Sequence, residues 1–299
     1  MFDIAPALDC GGRRLVLDRP RVMGIVNVTP DSFSDVGQHF DLEAAVAHGR
    51  KLVDEGADLL DIGGESTRPG ADEVDADEEI RRVVPVIERL VRETGVPVGV
   101  DTSKPEVMRA AVAAGAGLIN DVYALRREGA LDTAASLGVP AVLMHMLGEP
   151  RSMQDDPRYD DVVADVHRFL AERIFAAEMS GIDKKRIVVD PGFGFGKTRD
   201  HNLQLLANFD RFTDLGVPVL AGLSRKRTIG DITGRDKPAE RIFGSVAAHL
   251  IAVQHGARIV RTHDVAATVD AIKVWSAVDA QPRPKARSAA PTIRWPDED

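Results

Sequence analysis

Short apolar runs rich in valine and isoleucine recur along the chain, and longer segments with apolar residues at helical spacing lie between them. Eight runs stand out: Val22 to Val28, Leu59 to Gly63, Val98 to Val100, Gly117 to Ile119, Ala141 to Met144, Ile187 to Val189, Val217 to Leu223, and Arg258 to Val260. Each is followed by a polar residue or a glycine-rich turn and then a helix signal. The stretch Asp41 to Val53, with apolar residues at Leu42, Val46, Leu52 and Val53, is an example. Eight alternations of strand and helix specify an α/β fold, a closed (β/α)8 TIM barrel, more naturally than the alternative of an open doubly wound sheet. Ahead of the first run, Arg14 to Leu17 predicts an extra strand or hairpin capping the barrel bottom. Beyond Trp275, itself read as a packing residue on the last helix, the sequence Gln281-Pro-Arg-Pro-Lys-Ala-Arg-Ser-Ala-Ala-Pro291 holds too little apolar surface to fold. The expected layout is a single barrel domain over residues 1–278 and a proline-rich disordered tail over residues 279–299.

Composition narrows the class. The chain has 299 residues, 44% hydrophobic and 28% charged, which suits a globular enzyme and is too polar for a membrane protein. No apolar run approaches the roughly 18 residues of a membrane-spanning helix. The start of the chain lacks a basic segment followed by an apolar core, so secretion is not indicated. A lone cysteine, Cys10, excludes an internal disulfide and a cysteine-rich metal site and fits a reducing cytoplasm. The net charge of −9 argues against general nucleic-acid binding, while local basic clusters can still hold an anionic small molecule.

The chemistry collects at the ends of the runs. There stand Asn27, Asp61, Asp101 with Thr102, Asn120 with Asp121, His145, Asp190, Ser224 with Arg225 and Lys226, and Arg261 with His263. In a barrel all strand C-terminal ends open on one face, so these groups would converge around one mouth. A single Asp or Asn at a strand end is as readily a solvated loop residue; eight ends in register favour an active site. Asp101, Asn120 and Asp190 can pair with a planar heterocycle carrying amino and ring N–H groups. Arg68, Arg225, Lys226, Arg261 and His263 form a cationic rim suited to phosphate. A heterocycle joined to a phosphate leaving group satisfies both sets. An aldolase-like role, with Lys226 forming a Schiff base, is a second enzyme class open to a barrel.

The segment Val189-Asp-Pro-Gly-Phe-Gly-Phe-Gly-Lys-Thr198 is a near miss to two phosphate loops. Pro191 stands where a Walker loop needs its first glycine, and the glycine spacing fails the dinucleotide pattern. Of its alternating aromatics, one is expected in the core and the other, Phe195, on the ligand. Lys197 reads as a solvated loop charge. His145, with no second well-spaced His or Cys, reads as a structural hydrogen-bonding residue.

Taken in order, Gly24-Ile-Val-Asn-Val-Thr-Pro-Asp-Ser-Phe-Ser-Asp35, Asp61-Ile-Gly-Gly-Glu-Ser-Thr-Arg-Pro-Gly70, Asp101-Thr-Ser, Asn120-Asp, Met144-His-Met, Asp190-Pro-Gly-Phe-Gly-Phe-Gly-Lys197, Ser224-Arg-Lys226 and Arg261-x-His-Asp264 resemble the dihydropteroate synthase family of folate biosynthesis. The resemblance runs from about Val22 to Val278. It implies a (β/α)8 barrel, a homodimer, and a cytoplasmic transferase that joins 4-aminobenzoate to dihydropterin-methyl diphosphate with Mg2+ as cofactor. It assigns the pterin to Asp101, Asn120, Met144, Asp190, Phe195, Gly222 and Lys226, and the diphosphate to Asn27, Thr67, Arg68, Arg261 and His263, with Asn27 also at the metal. Phe33, Thr67, Pro69, Ser224 and Lys226 would frame the aminobenzoate, and Asp101, Lys226, Arg261 and His263 would carry catalysis. Pterin-binding barrels that lack synthase chemistry are the non-catalytic alternative. Thr262 and Arg227 depart from the family pattern, which bears on inhibitor sensitivity rather than on catalysis.

Overall fold

The structure is a computed structural model, and it describes residues 6–29, 42–66, 73–149 and 153–282. Ten strands are described. The first two, β1 (Ala7–Cys10) and β2 (Arg13–Val16), pair antiparallel as a hairpin. The other eight are β3 (Arg21–Asn27), β4 (Leu59–Gly63), β5 (Val98–Asp101), β6 (Leu118–Asp121), β7 (Ala141–Met144), β8 (Ile187–Asp190), β9 (Leu220–Ala221) and β10 (Ile259–Thr262), all parallel to their neighbours. Sheet order runs from β8 down to β3 and then to β10 and β9. A bridge between Val189 and Val219, with the Val189 N–H on the Pro218 carbonyl at 3.0 Å, joins the two ends. The expected barrel is therefore present. It is closed by backbone pairing between its first and last strands in the sheet order, where an open sheet would leave two edges.

Helices separate the strands: α1 (Leu42–Asp54), α2 (Ala76–Glu93), α3 (Pro105–Ala113), α4 (Ala130–Leu137), α5 (Val162–Met179), α6 (Arg199–Ala207), α7 (Arg227–Thr233), α8 (Ile242–Gln254) and α9 (Val265–Asp279). Helix α2 shows how the sequence starts such an element. Asp75 caps it by accepting the Glu78 N–H at 2.8 Å, and Asp77, Glu78 and Glu79 place negative charge on its first turn. Trp275 is partly buried on α9 against the main core, as expected. Of the expected tail, residues 283–299 lie outside the described residues.

The core has two parts. One large cluster lies between the strands and the helical ring. A second fills the lower lumen and combines the hairpin residues Leu8, Cys10, Leu15 and Leu17 with residues on seven barrel strands, among them Leu118, Val142 and Ile259. The hairpin is thus a plug under the barrel. Its close fit depends on Gly117, where a Cβ would stand 2.2 Å from the Cys10 carbonyl oxygen. Burial of Cys10 pushes its thiol up to about 12, so it is an inert packing group.

Candidate active site

Side chains alternate along a strand, so the residue two places beyond each plug residue enters the same lumen one layer higher. Leu59, Leu118, Val142, Val188, Leu220 and Ile259 of the plug are followed in this way by Asp61, Asn120, Met144, Asp190, Gly222 and Arg261. Asp101 joins this layer from β5, in register with Gly63 on one side and Asn120 on the other. Apolar residues below and a polar ring above are thus one period-two pattern continued upward.

Arg261 organises the ring. Its Nε donates to Asp61 Oδ2 at 2.6 Å and its Nη2 to Asp101 Oδ2 at 2.7 Å. Asn120 Nδ2 donates to the same Asp61 oxygen at 3.0 Å. Arg261, expected among the diphosphate ligands, therefore also holds Asp101, one of the groups expected to read the heterocycle. Asp61 had no assigned role in the sequence, although a carboxylate inside the run Leu59-Leu-Asp-Ile62 is the signal that would have found it. It is fully buried, and among the described residues its Oδ1 has no hydrogen-bond partner. An unpaired buried carboxylate oxygen is costly and is a ready acceptor for a ligand donor.

Burial tunes these groups toward neutrality. Desolvation pushes Asp101 up to about 7; Arg261 opposes the rise and the neighbouring Asp61 charge adds to it. Asp190 is also raised by burial, against the attraction of Lys226 and the N–H that Gly192 donates to its Oδ1 at 2.7 Å. Lys226 is brought down to about 8 by burial, with Asp190 pulling the other way. For Arg261, burial works against the charge, yet Asp61 and Asp101 together hold it protonated. Acids raised and an amine lowered within one recess are the electrostatic pattern of a functional site.

One side of the ring is apolar. Met144 packs with Val122, Met146 and Met153, and Tyr123 and Phe195 border this cluster. Lys226 Nζ lies 4.7 Å from the centre of the Phe195 ring and donates to the Phe193 carbonyl. Phe193 itself is buried and stacks on Phe209 at 6.2 Å, so of the two alternating aromatics one lies in the core and the other, Phe195, borders the Met144 cluster. At Gly222 a Cβ would be in ordinary contact with Asp190 and Arg261, 3.7 and 3.9 Å away. Any larger side chain there would fill the space between them.

Of the expected cationic rim, His263 is held against Ser224. Ser224 Oγ accepts the His263 backbone N–H at 3.0 Å and lies 2.9 Å from its ring Nδ1. Arg225 takes a left-handed backbone at φ 57°, and three contacts hold it there. Its N–H donates to Ser245 Oγ at 2.9 Å, its carbonyl accepts from Arg241 at 3.0 Å, and its Nε bonds Asp264 at 3.0 Å. Arg225 was expected to be an anion ligand. Instead, its charge is paired with Asp264 and fastens the Ser224-Arg-Lys226 turn to the Arg261-x-His263 turn. Asn27 ends β3, half-buried and in register with Gly63. A cavity of about 870 Å³ is lined by Asp101 of the ring together with Glu65, Lys104 and Arg127. Phe33, Thr67, Arg68 and Pro69 lie outside the described residues.

Two sequence expectations come out differently from each other. His145 is a structural hydrogen-bonding residue, 2.8 Å through its Nδ1 from Lys197 Nζ. Lys197 is not a solvated loop charge; it is 3% exposed, because the loop it closes folds back over it.

Comparison with known proteins places this geometry. A family model described as "Pterin binding enzyme" matches residues 23–263. Dihydropteroate synthase of Escherichia coli K12 is 49% identical over 263 residues, 88% of this chain and 93% of that protein. The solved structure of Xanthomonas albilineans dihydropteroate synthase with 4-aminobenzoic acid superposes with a TM-score of 0.89 at 69% identity, over 93% of this chain and all of that one. The same enzyme in complex with 7,8-dihydropteroate gives 0.86 at 67% identity, again over 93% of this chain.

Proposed function

The chain belongs to the dihydropteroate synthase family of pterin-binding enzymes, and we propose that it joins 4-aminobenzoate to (7,8-dihydropterin-6-yl)methyl diphosphate, releasing 7,8-dihydropteroate and diphosphate. One observation carries this reading to the residues: Arg261, read as a diphosphate ligand, bonds the ring-reading Asp101 and the buried Asp61 in a single recess. Asp101, Asn120 and Asp190 hydrogen-bond the polar edge of the pterin, and Met144 and Phe195 cover its faces. Gly222 leaves room for the ring, and Lys226 lies between the pterin and the aminobenzoate framed by Ser224, Phe33, Thr67 and Pro69.

The reaction is a substitution at the exocyclic CH2. The C–O bond to diphosphate breaks, the arylamine nitrogen forms the new C–N bond, and that nitrogen then loses a proton. An electron-rich dihydropterin can carry positive charge on this carbon, so the path is dissociative and SN1-like. Arg261, His263 and Arg68 stabilise the departing charge, and Asp101 faces the developing cation; each preorganised partner contributes about 3 kcal/mol. The arylamine is already neutral, so no strong base is needed. Lys226 donates to a carbonyl and lies over an aromatic face, an arrangement that holds an amine in place and gives the Schiff-base alternative no support.

Among the described residues no group of three or more His, Cys, Asp or Glu could hold a metal. The reading places Mg2+, an ion that keeps several waters and takes substrate phosphates as ligands, at the side-chain oxygen of Asn27, half-buried at the end of β3, with Thr67 as a neighbouring ligand of the diphosphate. When bound, the ion would neutralise charge on the diphosphate.

A homodimer accounts for the apolar surface of two adjacent helices. Phe243 is 88% exposed on α8, and Val274 and Val278, one turn apart on α9, are each 67% exposed. Phe243→Glu is expected to shift the sedimentation coefficient to that of a monomer. The reading also keeps the enzyme in the cytoplasm. It is supported by the lone buried Cys10 and by the absence, among the described residues, of any helix long and apolar enough to cross a membrane.

The direct test mixes purified protein with pterin diphosphate, 4-aminobenzoate and Mg2+ and measures diphosphate. Release matched by dihydropteroate and dependent on both substrates is expected. Binding of the pterin substrate without product would overturn the enzymatic reading.

A further inference from the structure

The loop from Gly192 to Gly196 is buried or half-buried and belongs to no strand or helix; Gly192 O accepts the Phe195 N–H at 3.2 Å within the loop, and the other carbonyl oxygens need partners from elsewhere. Side chains donate to all five. Lys197 Nζ donates to Gly192 O at 2.9 Å and to Phe195 O at 3.0 Å, Lys226 Nζ to Phe193 O, Gln154 to Gly194 O at 2.7 Å, and Tyr159 to Gly196 O at 2.8 Å. Lys197 alone serves two of the five and also reaches His145 Nδ1 at 2.8 Å, at the end of β7 next to Met144. The loop can lie this close because Gly192 is left-handed, at φ +70°, and has no Cβ; one there would stand 1.9 Å from the His145 carbonyl oxygen.

We propose that Lys197 is the positioning residue of the pterin face: its side-chain nitrogen gathers the Gly192 and Phe195 carbonyls onto His145, and so sets the Phe195 ring against Met144 and Lys226. Lys197 touches none of the groups assigned to the reacting atoms. It acts through Phe195, whose carbonyl it holds. Burial holds Lys197 well below the ordinary lysine pKa, against the attraction of Asp190. A buried amine with three partners at 3.0 Å or less is a clamp rather than a solubilising charge. The inference rests on the reading of Phe195 as a pterin contact.

The test uses the full-length enzyme with Lys197→Met, Phe195→Leu and the double variant, measuring kcat and the KM of each substrate. Lys197→Met is expected to raise the KM for the pterin diphosphate by about tenfold while the aminobenzoate KM and kcat stay within about twofold. Because both residues act on one face, the double variant should be no worse than the worse single variant. A folded Lys197→Met enzyme with unchanged pterin KM, or effects that multiply in the double variant, overturns the proposal. If Phe195→Leu alone leaves the pterin KM unchanged, the pterin contact itself is wrong and the proposal falls with it. If Lys197→Met does not fold, His145→Leu, which removes only the ring partner, is expected to give the same selective rise; its absence overturns the proposal.

Discussion

The two ends of this barrel are built from the same strands and differ in almost every other respect. At the bottom, Leu118, Val142, Val188 and Ile259 meet the hairpin residues Leu8, Leu15 and Leu17, each 5% exposed or less, with Gly117 fitted against Cys10. Two residues further up, Asn120, Met144, Asp190 and Arg261 face the same lumen, and the layer holds three carboxylates, an amide and a guanidinium. Buried apolar groups at one end stabilise the fold. Buried ionisable groups at the other reduce stability unless they are paired, and their pairing is organised around one arginine. The period-two alternation that builds the barrel therefore also separates stability from chemistry by a single layer of side chains.

Substitutions can break that separation. The largest effect is expected for Arg261→Met, which leaves Asp61 and Asp101 buried without their shared cation. Turnover should fall by about a thousandfold and stability by about 3 kcal/mol, read by diphosphate release and by urea unfolding. Leu118→Ala acts on the other end: a loss of about 3 kcal/mol in urea unfolding with the pterin KM unchanged keeps the two ends independent, and a large rise in KM would join them.

Gly192→Ala is a milder change at the top. The strained backbone and the contact with the His145 carbonyl should raise the pterin KM by about tenfold with little change in kcat. The smallest effect is in pH. Asp101, raised to about 7, must lose its proton to stabilise positive charge, so kcat/KM should rise with pH through about 7. Lys226, lowered to about 8, loses its charge above that value, so the profile should fall again. Lys226→Met is expected to remove the alkaline limb and leave the acid limb in place.

How much of this the sequence shows depends on how far apart the partners are. The strands were legible because each is a local apolar run. The predicted run Val217 to Leu223 forms a strand only at Leu220–Ala221: Val219 makes an isolated bridge to Val189, and beyond Ala221 the chain opens at Gly222 between Asp190 and Arg261. Asp101, Asn120 and Asp190 were legible because a barrel brings strand ends together. Lys197 was misread because its partner His145 lies 52 residues earlier, and nothing local distinguishes a buried lysine from a solvated one. Arg225 was misread for a similar reason, since its pairing with Asp264 joins two turns 39 residues apart. Asp61 was recognised as a strand-end carboxylate, but its role requires Arg261, 200 residues away.

The central claim is that the polar ring acts on charge developing during the reaction and does not merely bind the pterin. Comparing kcat with the pterin dissociation constant in Asp101→Asn tests it most directly. The account predicts a kcat lower by about a hundredfold or more, with pterin affinity changed by less than about tenfold, because the lost interaction belongs to the transition state. Full turnover with unchanged pterin affinity in Asp101→Asn would contradict it.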